Sequence, residues 1–250
     1  MTDTQENKPA FVLIPGAGGM ASYWHRVVPL LRAAGHDTIA VDLPGDDPQA
    51  GLPEYARLVR AAMNGRTDVV LVAQSLGGFT APLAAAPPVS AIVFVNAMIP
   101  VPGETPGIWW EATGQAKARI AAAERNGYGT DFDLNAYFFH DVPDEIQSSS
   151  EESRDEADIV FGSACDFADW PAIPVKVAAG ADDRLFPVEF QQRIARERLG
   201  VEADVLPGGH LIALSRPEPL ARYLVAVSGL HRSWPASGSR RPARRLPRPA

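Results

Sequence analysis

Short runs of consecutive apolar residues alternate, from residue 11 onward, with longer stretches whose apolar positions recur at helical spacing. Phe11–Ile14 predicts a buried strand that ends at Pro15-Gly16. A helix follows, carrying Trp24, Val27, Val28, Leu30 and Leu31 on its inner side, with Ser22 as a cap and Gly35 as its stop. Thr38–Val41 is a second strand, and residues 53–63 form a helix with Tyr55, Leu58, Val59 and Ala62 on one face. Val69–Ala73 and Ala91–Val95 are strands separated by an Ala-rich helix over 76–86. The rhythm breaks between Pro100 and Pro171, then resumes with strands at 175–179 and 203–206 and helices at 189–199 and 217–228. Strands alternating with helices predict βαβ units in an α/β fold, a mostly parallel sheet of about six strands flanked by helices.

The interruption is too long for a plain loop and must carry structure of its own. An inserted helical lid at 100–171 is expected, between core segments 11–99 and 172–230, after a short N-terminal extension at 1–10. Within the insertion, Asp141 to Asp158 is strongly acidic and holds a single base, Arg154.

Composition adds limits. A chain of 250 residues with 46% hydrophobic and 21% charged residues can bury one full core without metal or disulfide staples. The single cysteine, Cys165, excludes an internal disulfide and fits a cytoplasmic, reducing setting. Neither a membrane span nor a signal peptide is expected, and no metal or other cofactor is called for. The formal charge of −7 argues against a nucleic-acid partner. That charge is unevenly spread: setting aside the six arginines after His231 takes the remaining chain to −13. The proline- and arginine-containing segment 231–250 is expected to be a disordered, solvated tail.

The segment Val69–Gly78, VVLVAQSLGG, carries the strongest chemical signal. A β-branched strand runs into a small-x-Ser-x-Gly turn and then a helix. A serine on such a turn is pushed out at the sheet edge, and small residues at Ala73 and Gly77 let the turn close. Ser75 is thus the candidate nucleophile. The Leu76 N–H, at the start of the helix, faces where an oxyanion would form. The serine needs an imidazole to take its proton. Of five histidines, His210 follows Pro207-Gly208-Gly209 on a loop after the last strand, at the carboxyl edge where open α/β sheets bind ligands. His25, His36, His140 and His231 lie elsewhere. The loop after the fifth strand offers two adjacent acids, Asp182 and Asp183, either of which can orient the imidazole. The glycine-rich Pro15–Gly19 lets backbone N–H groups approach a ligand, with Ala17 as the second oxyanion donor. It lacks the spacing of a phosphate-binding loop.

Taken together, these stretches resemble the α/β-hydrolase superfamily. Within it the chain is most similar to the small esterases that include plant methylesterases, hydroxynitrile lyases and their bacterial relatives. The resemblance is carried by residues 24–45, by Ala73–Phe79, by Asp183–Gln191 (DRLFPVEFQ) and by His210–Pro217 (HLIALSRP). It implies Asp183, which directly precedes the Phe-Pro element, as the acid and His210 as the base. Pro15 stands where such enzymes usually carry His, and Gln74 where His or Glu often precedes the serine. Leu211 stands where the lyases carry lysine. The expected activity is a Ser-His-Asp carboxylesterase cleaving an ester of a small, largely apolar molecule. Trp109, Trp110, Tyr137, Phe138 and Phe139 of the lid are candidates for lining its pocket. The alternatives are a lyase, cyclase or carbon–carbon hydrolase using the same triad, and a non-catalytic small-molecule receptor.

Overall fold

The computed structural model describes residues 8–149 and 153–230. Six strands form one parallel sheet in the order β2-β1-β3-β4-β5-β6: β1 (Ala10–Ile14), β2 (Thr38–Ala40), β3 (Val69–Gln74), β4 (Val89–Val95), β5 (Val175–Gly180) and β6 (Ala203–Leu206). The central strands are buried on both faces, which is why they read as unbroken apolar runs rather than as alternating ones.

Side chains of successive strand residues point to opposite faces, and each face has its own core. Val12, Ile14, Leu71, Ala73, Ile92 and Phe94 share a cluster with residues of α2 (Leu52–Ala62), α3 (Gly77–Ala84) and α8 (Val188–Leu199). Phe11, Leu13, Val70, Val72, Val93 and Val95 pack on the other face with Leu31 of α1 (Val28–Ala33) and Leu220 and Leu224 of α10 (Pro217–Leu230). From β1 the chain moves to β2 on one side and then to β3 on the other. The carboxyl ends of β1 and β3 therefore flank a reversal of strand order, the place where open α/β sheets form a crevice.

The first helix is not the single element its apolar spacing predicts. Residues Ala21–Trp24 form a 3-10 turn, and α1 begins only at Val28. Pro29 lies in its first turn, where the missing N–H costs nothing, whereas inside a longer helix it would have broken the ladder. Ser22 consequently sits within the 3-10 turn and makes no capping bond; Val27 occupies the N-cap. The helix after β3 stops at Ala84, short of Pro87, because a residue before proline is pushed away from helical geometry.

Between β4 and β5 lie α4 (Pro106–Thr113), α5 (Gln115–Asn126), a π-helical turn (Asn135–Phe139), α6 (Asp144–Ser149) and α7 (Asp158–Gly162). Thr105 caps α4 by accepting the Ile108 N–H at 3.2 Å. This segment is built into the core: Trp109, Val160 and Cys165 belong to the same cluster as α2 and α8. A buried ion pair ties it further, with Arg198 of α8 donating both to Glu104 and to the Ile99 carbonyl. A four-residue helix, α9 (Ile212–Ser215), precedes α10. Among the described residues no helix is long and apolar enough to cross a membrane. The 231–250 tail and most of the N-terminal extension lie outside the described residues.

Candidate active site

β3 delivers Ser75 into a turn with φ +48°, a left-handed conformation that a residue with a side chain adopts at a cost. The surroundings hold it there. The Ser75 N–H donates to the Val95 carbonyl, while its own carbonyl accepts from Gly78 (3.1 Å) and Met98 (3.0 Å). Gly77 has to be small, since a Cβ at that position would collide with the Pro15 carbonyl oxygen. The turn feeds directly into α3, so the Leu76 N–H lies at the amino end of that helix.

The loop after β6 returns His210 to this point. Its Nε2 lies 3.1 Å from Ser75 Oγ, and its Nδ1 lies 2.9 Å from Asp183 Oδ2. The imidazole has no solvent exposure, and Phe138 and Phe186 pack against it in T-shaped contacts, both with ring centroids 5.0 Å away. Asp183 is buried and saturated with donors. Its Oδ1 accepts the backbone N–H groups of Leu185 (2.9 Å) and Phe186 (2.8 Å), and Oδ2 also accepts from Gln191 Nε2 (3.2 Å). An acceptor-only carboxylate held in this way favours the tautomer of His210 that carries its proton on Nδ1, leaving Nε2 free to accept from the serine. Asp182 is exposed and its carboxylate meets the Gly208 N–H instead, so of the two adjacent acids only Asp183 reaches the imidazole.

A model of the alpha/beta hydrolase family matches residues 11–223, a span that contains all three side chains. The chain belongs to that family. Probable esterase PIR7A of Oryza sativa subsp. indica is 39% identical over 115 residues, which cover 40% of this chain and 43% of that protein, so this chain spans less than half of its length. Esterase PIR7B of Oryza sativa subsp. japonica is 34% identical over 91% of this chain and 98% of its own. Among solved structures, a pyrethroid hydrolase from Sphingobium faniae JZ-2 shares the fold with a TM-score of 0.71, at 23% identity over 90% of this chain and 99% of that one.

Other parts of this family member's site vary in how they meet expectation. Ala17 is exposed on the turn after β1, and neither its N–H nor that of Leu76 makes a hydrogen bond among the described residues. Both are therefore free to donate to a bound oxygen. Of the aromatics between β4 and β5, Phe138 touches His210 directly, and Trp110 touches Phe186, the other ring against it. Trp109 is fully buried, with its indole N–H on the Ile99 carbonyl at 3.1 Å. Tyr137 is likewise buried, with its hydroxyl on the Gly129 carbonyl. Phe139 is half-buried and makes no ring contact with the three polar residues. Among the described residues no cluster of three or more His, Cys, Asp or Glu could hold a metal ion.

Sequence reasoning missed Asn96 and Gln191. Asn96 ends β4 in a left-handed conformation (φ +46°) and is fully buried. It donates to the Gly209 and His210 carbonyls and accepts the Gly180 N–H at 2.6 Å, joining the loops that carry the acid and the base. Gln191, on the first turns of α8, bonds Asp183 and the Phe186 carbonyl. An Asn directly after an apolar strand was the available signal for the first, since Asn tolerates left-handed backbone better than most residues. Burial alters other groups nearby. It pushes the Cys165 thiol up to about 12, so that sulfur is an inert neutral group. It also pulls the His140 imidazole below its usual range, with Arg184 adding to the shift.

Proposed function

We propose that this protein is a carboxylic ester hydrolase acting through a serine nucleophile on a small, largely apolar ester. The observation that carries this reading is the pair of contacts from one imidazole, 3.1 Å to Ser75 and 2.9 Å to Asp183. A serine hydroxyl becomes nucleophilic when a neighbouring base takes its proton as it attacks. His210 Nε2 is that base, and Asp183 stabilises the imidazolium that forms. Attack of Ser75 Oγ on the ester carbonyl gives a tetrahedral oxyanion, stabilised by the N–H groups of Ala17 and Leu76. Collapse expels the alcohol, which receives the proton from His210. Water, deprotonated by the same imidazole, then attacks the acyl-enzyme; collapse expels Ser75 Oγ, which takes that proton back from His210, and the carboxylic acid is released.

The apolar preference follows from the rings around the imidazole, Phe138 and Phe186, with Trp110 behind them. The relatives named as esterases support the same reaction class. The single, buried Cys165 suits a cytoplasmic setting. Turnover of p-nitrophenyl acetate and labelling by a fluorophosphonate probe test the proposal. Ser75→Ala should abolish labelling and lower kcat by ~10⁴-fold or more while the fold persists. Wild-type turnover in that variant would refute the mechanism.

A further inference from the structure

The acidic stretch between β4 and β5 returns to the site at Arg154–Ala157, against the turn that carries Ala17. That turn is closed by the Gly19 N–H on the Gly16 carbonyl at 3.1 Å, with Gly18 at φ +81°. Its central amide, the Gly18 N–H, donates to Glu156 Oε2 at 2.7 Å. The other oxygen of Glu156 accepts the hydroxyl of buried Tyr55 on α2 at 2.6 Å. The same short segment is anchored on both sides. Arg154 donates to the Leu43 carbonyl (2.6 Å) and to Asp42 (3.1 Å), and the Ala157 N–H donates to the Gly45 carbonyl (2.7 Å). Leu43 in turn donates its N–H to the Gly19 carbonyl at 2.8 Å, closing a ring of contacts around the turn. Contact is tight enough that a Cβ on Gly18 would collide with the Arg154 carbonyl oxygen.

We propose that Glu156 is a positioning residue for the oxyanion site: its carboxylate, bonded to the Gly18 N–H, anchors the Gly16–Gly19 turn in place and so keeps the Ala17 N–H, one residue away, where the oxyanion forms. The Gly18 N–H sits at the middle of the turn, so a bond to it restrains the turn as a body, the Ala17 N–H at its first corner included. Tyr55 fixes the carboxylate from the opposite side, so the lock is rigid rather than a mobile surface contact. Donors that are already aimed stabilise a developing charge without reorganising, which is where their catalytic effect comes from. The inference rests on the ester-hydrolase reading above.

The test compares Glu156→Ala, Glu156→Gln and Glu156→Asp with the wild type and with Ser75→Ala on p-nitrophenyl acetate, each checked for a cooperative melt. Glu156→Ala should lower kcat 10- to 100-fold with KM within about twofold, somewhat less than outright loss of one oxyanion donor, which costs ~10²- to 10³-fold. Glu156→Gln, whose amide oxygen still accepts from Gly18 and whose amide nitrogen can donate to the Tyr55 oxygen, should recover most of the rate. Glu156→Asp keeps the charge but withdraws it by one methylene, and should lose nearly as much as Ala. Wild-type kcat in both Glu156→Ala and Glu156→Asp overturns the proposal. So does a rise in KM with kcat unchanged, or a Gln variant no better than Ala. Loss of turnover in Ser75→Ala together with full turnover in Glu156→Ala refutes the role of Glu156 alone. Full turnover in Ser75→Ala refutes the underlying reading and this role with it.

Discussion

Asn96 grips the main chain of His210. Its Nδ2 donates to the His210 carbonyl at 3.1 Å and to the preceding Gly209 carbonyl at 2.9 Å, from a fully buried position at the end of β4. Its Oδ1 simultaneously holds the Gly180 N–H at the end of β5, so one side chain sets the spacing between the base loop and the acid loop. Asn96→Ala should lower stability by about 2–3 kcal/mol, because buried backbone groups lose their partners, and should lower kcat more than it raises KM. Asn96→Gly relieves the left-handed backbone but still lacks the amide, so it should lose comparable activity. Denaturant melts and steady-state kinetics check both; retention of kcat in the Gly variant would show that the amide does not orient His210.

The two adjacent acids should separate sharply. Asp183→Asn puts an amide where the acceptor-only carboxylate meets His210 Nδ1, which favours the wrong imidazole tautomer and should lower kcat by ~10³- to 10⁴-fold. Asp182→Asn alters an exposed side chain that, among the described residues, meets the Gly208 N–H at 3.3 Å and does not reach the imidazole, and should change kcat by less than about threefold. Side-by-side turnover measurements decide the matter.

Glu156 should leave a signature in the pH dependence of stability. Burial raises its carboxyl above the usual 4.5, outweighing the lowering by the Tyr55 and Gly18 hydrogen bonds. A carboxyl with a raised folded pKa binds its proton more tightly folded than unfolded. The resulting stabilisation is full below about pH 4.5 and is lost as pH rises through the raised folded value. Relative to the untitratable Glu156→Gln, the wild type should therefore gain melting temperature as pH falls from 7 toward 4.5. At pH 7 the Gln variant should melt no lower than the wild type. A difference that stays flat with pH would show that Glu156 titrates normally.

The Glu104–Arg198 pair is nearly fully buried, with side-chain exposures of 5% and 10%. Breaking it from one side strands a charge, so Arg198→Met should cost ~3–5 kcal/mol. The double variant Glu104→Gln with Arg198→Met removes both charges and should recover part of that loss. Urea melts of the single and double variants test this; equal stabilities would show the pair to be solvated in solution.

The central strands β1 and β3 are legible because apolar runs of five to six residues buried on both faces leave little alternative. The observed bounds differ from the expected ones by two residues at most, as at β4, which starts at Val89 rather than Ala91. The Ser75 turn was readable for a related reason: the packing of a strand-to-helix turn against Pro15 dictates small residues locally. The first helix is shorter than its apolar spacing predicts, because that spacing continues through Pro29 and periodicity carries no information about a missing N–H. The aromatics between β4 and β5 are legible in the sequence by type alone. Type does not distinguish Trp109, locked in the core by the Ile99 carbonyl, from Phe138, which meets His210.

What the linear chain determined alone is local: which segments are strands, which serine occupies a tight turn, and which loops reach the carboxyl edge of the sheet. Those features arise from interactions between residues close in sequence, or from burial that marks every residue of a strand. Only the folded structure decided that Asn96 holds the base loop, that Gln191 completes the cage around Asp183, and that Glu156 crosses 138 positions to meet Gly18. Each is a polar side chain whose role depends on a partner brought near by the packing of other elements. A single polar residue in an irregular segment has no periodicity to announce that partner.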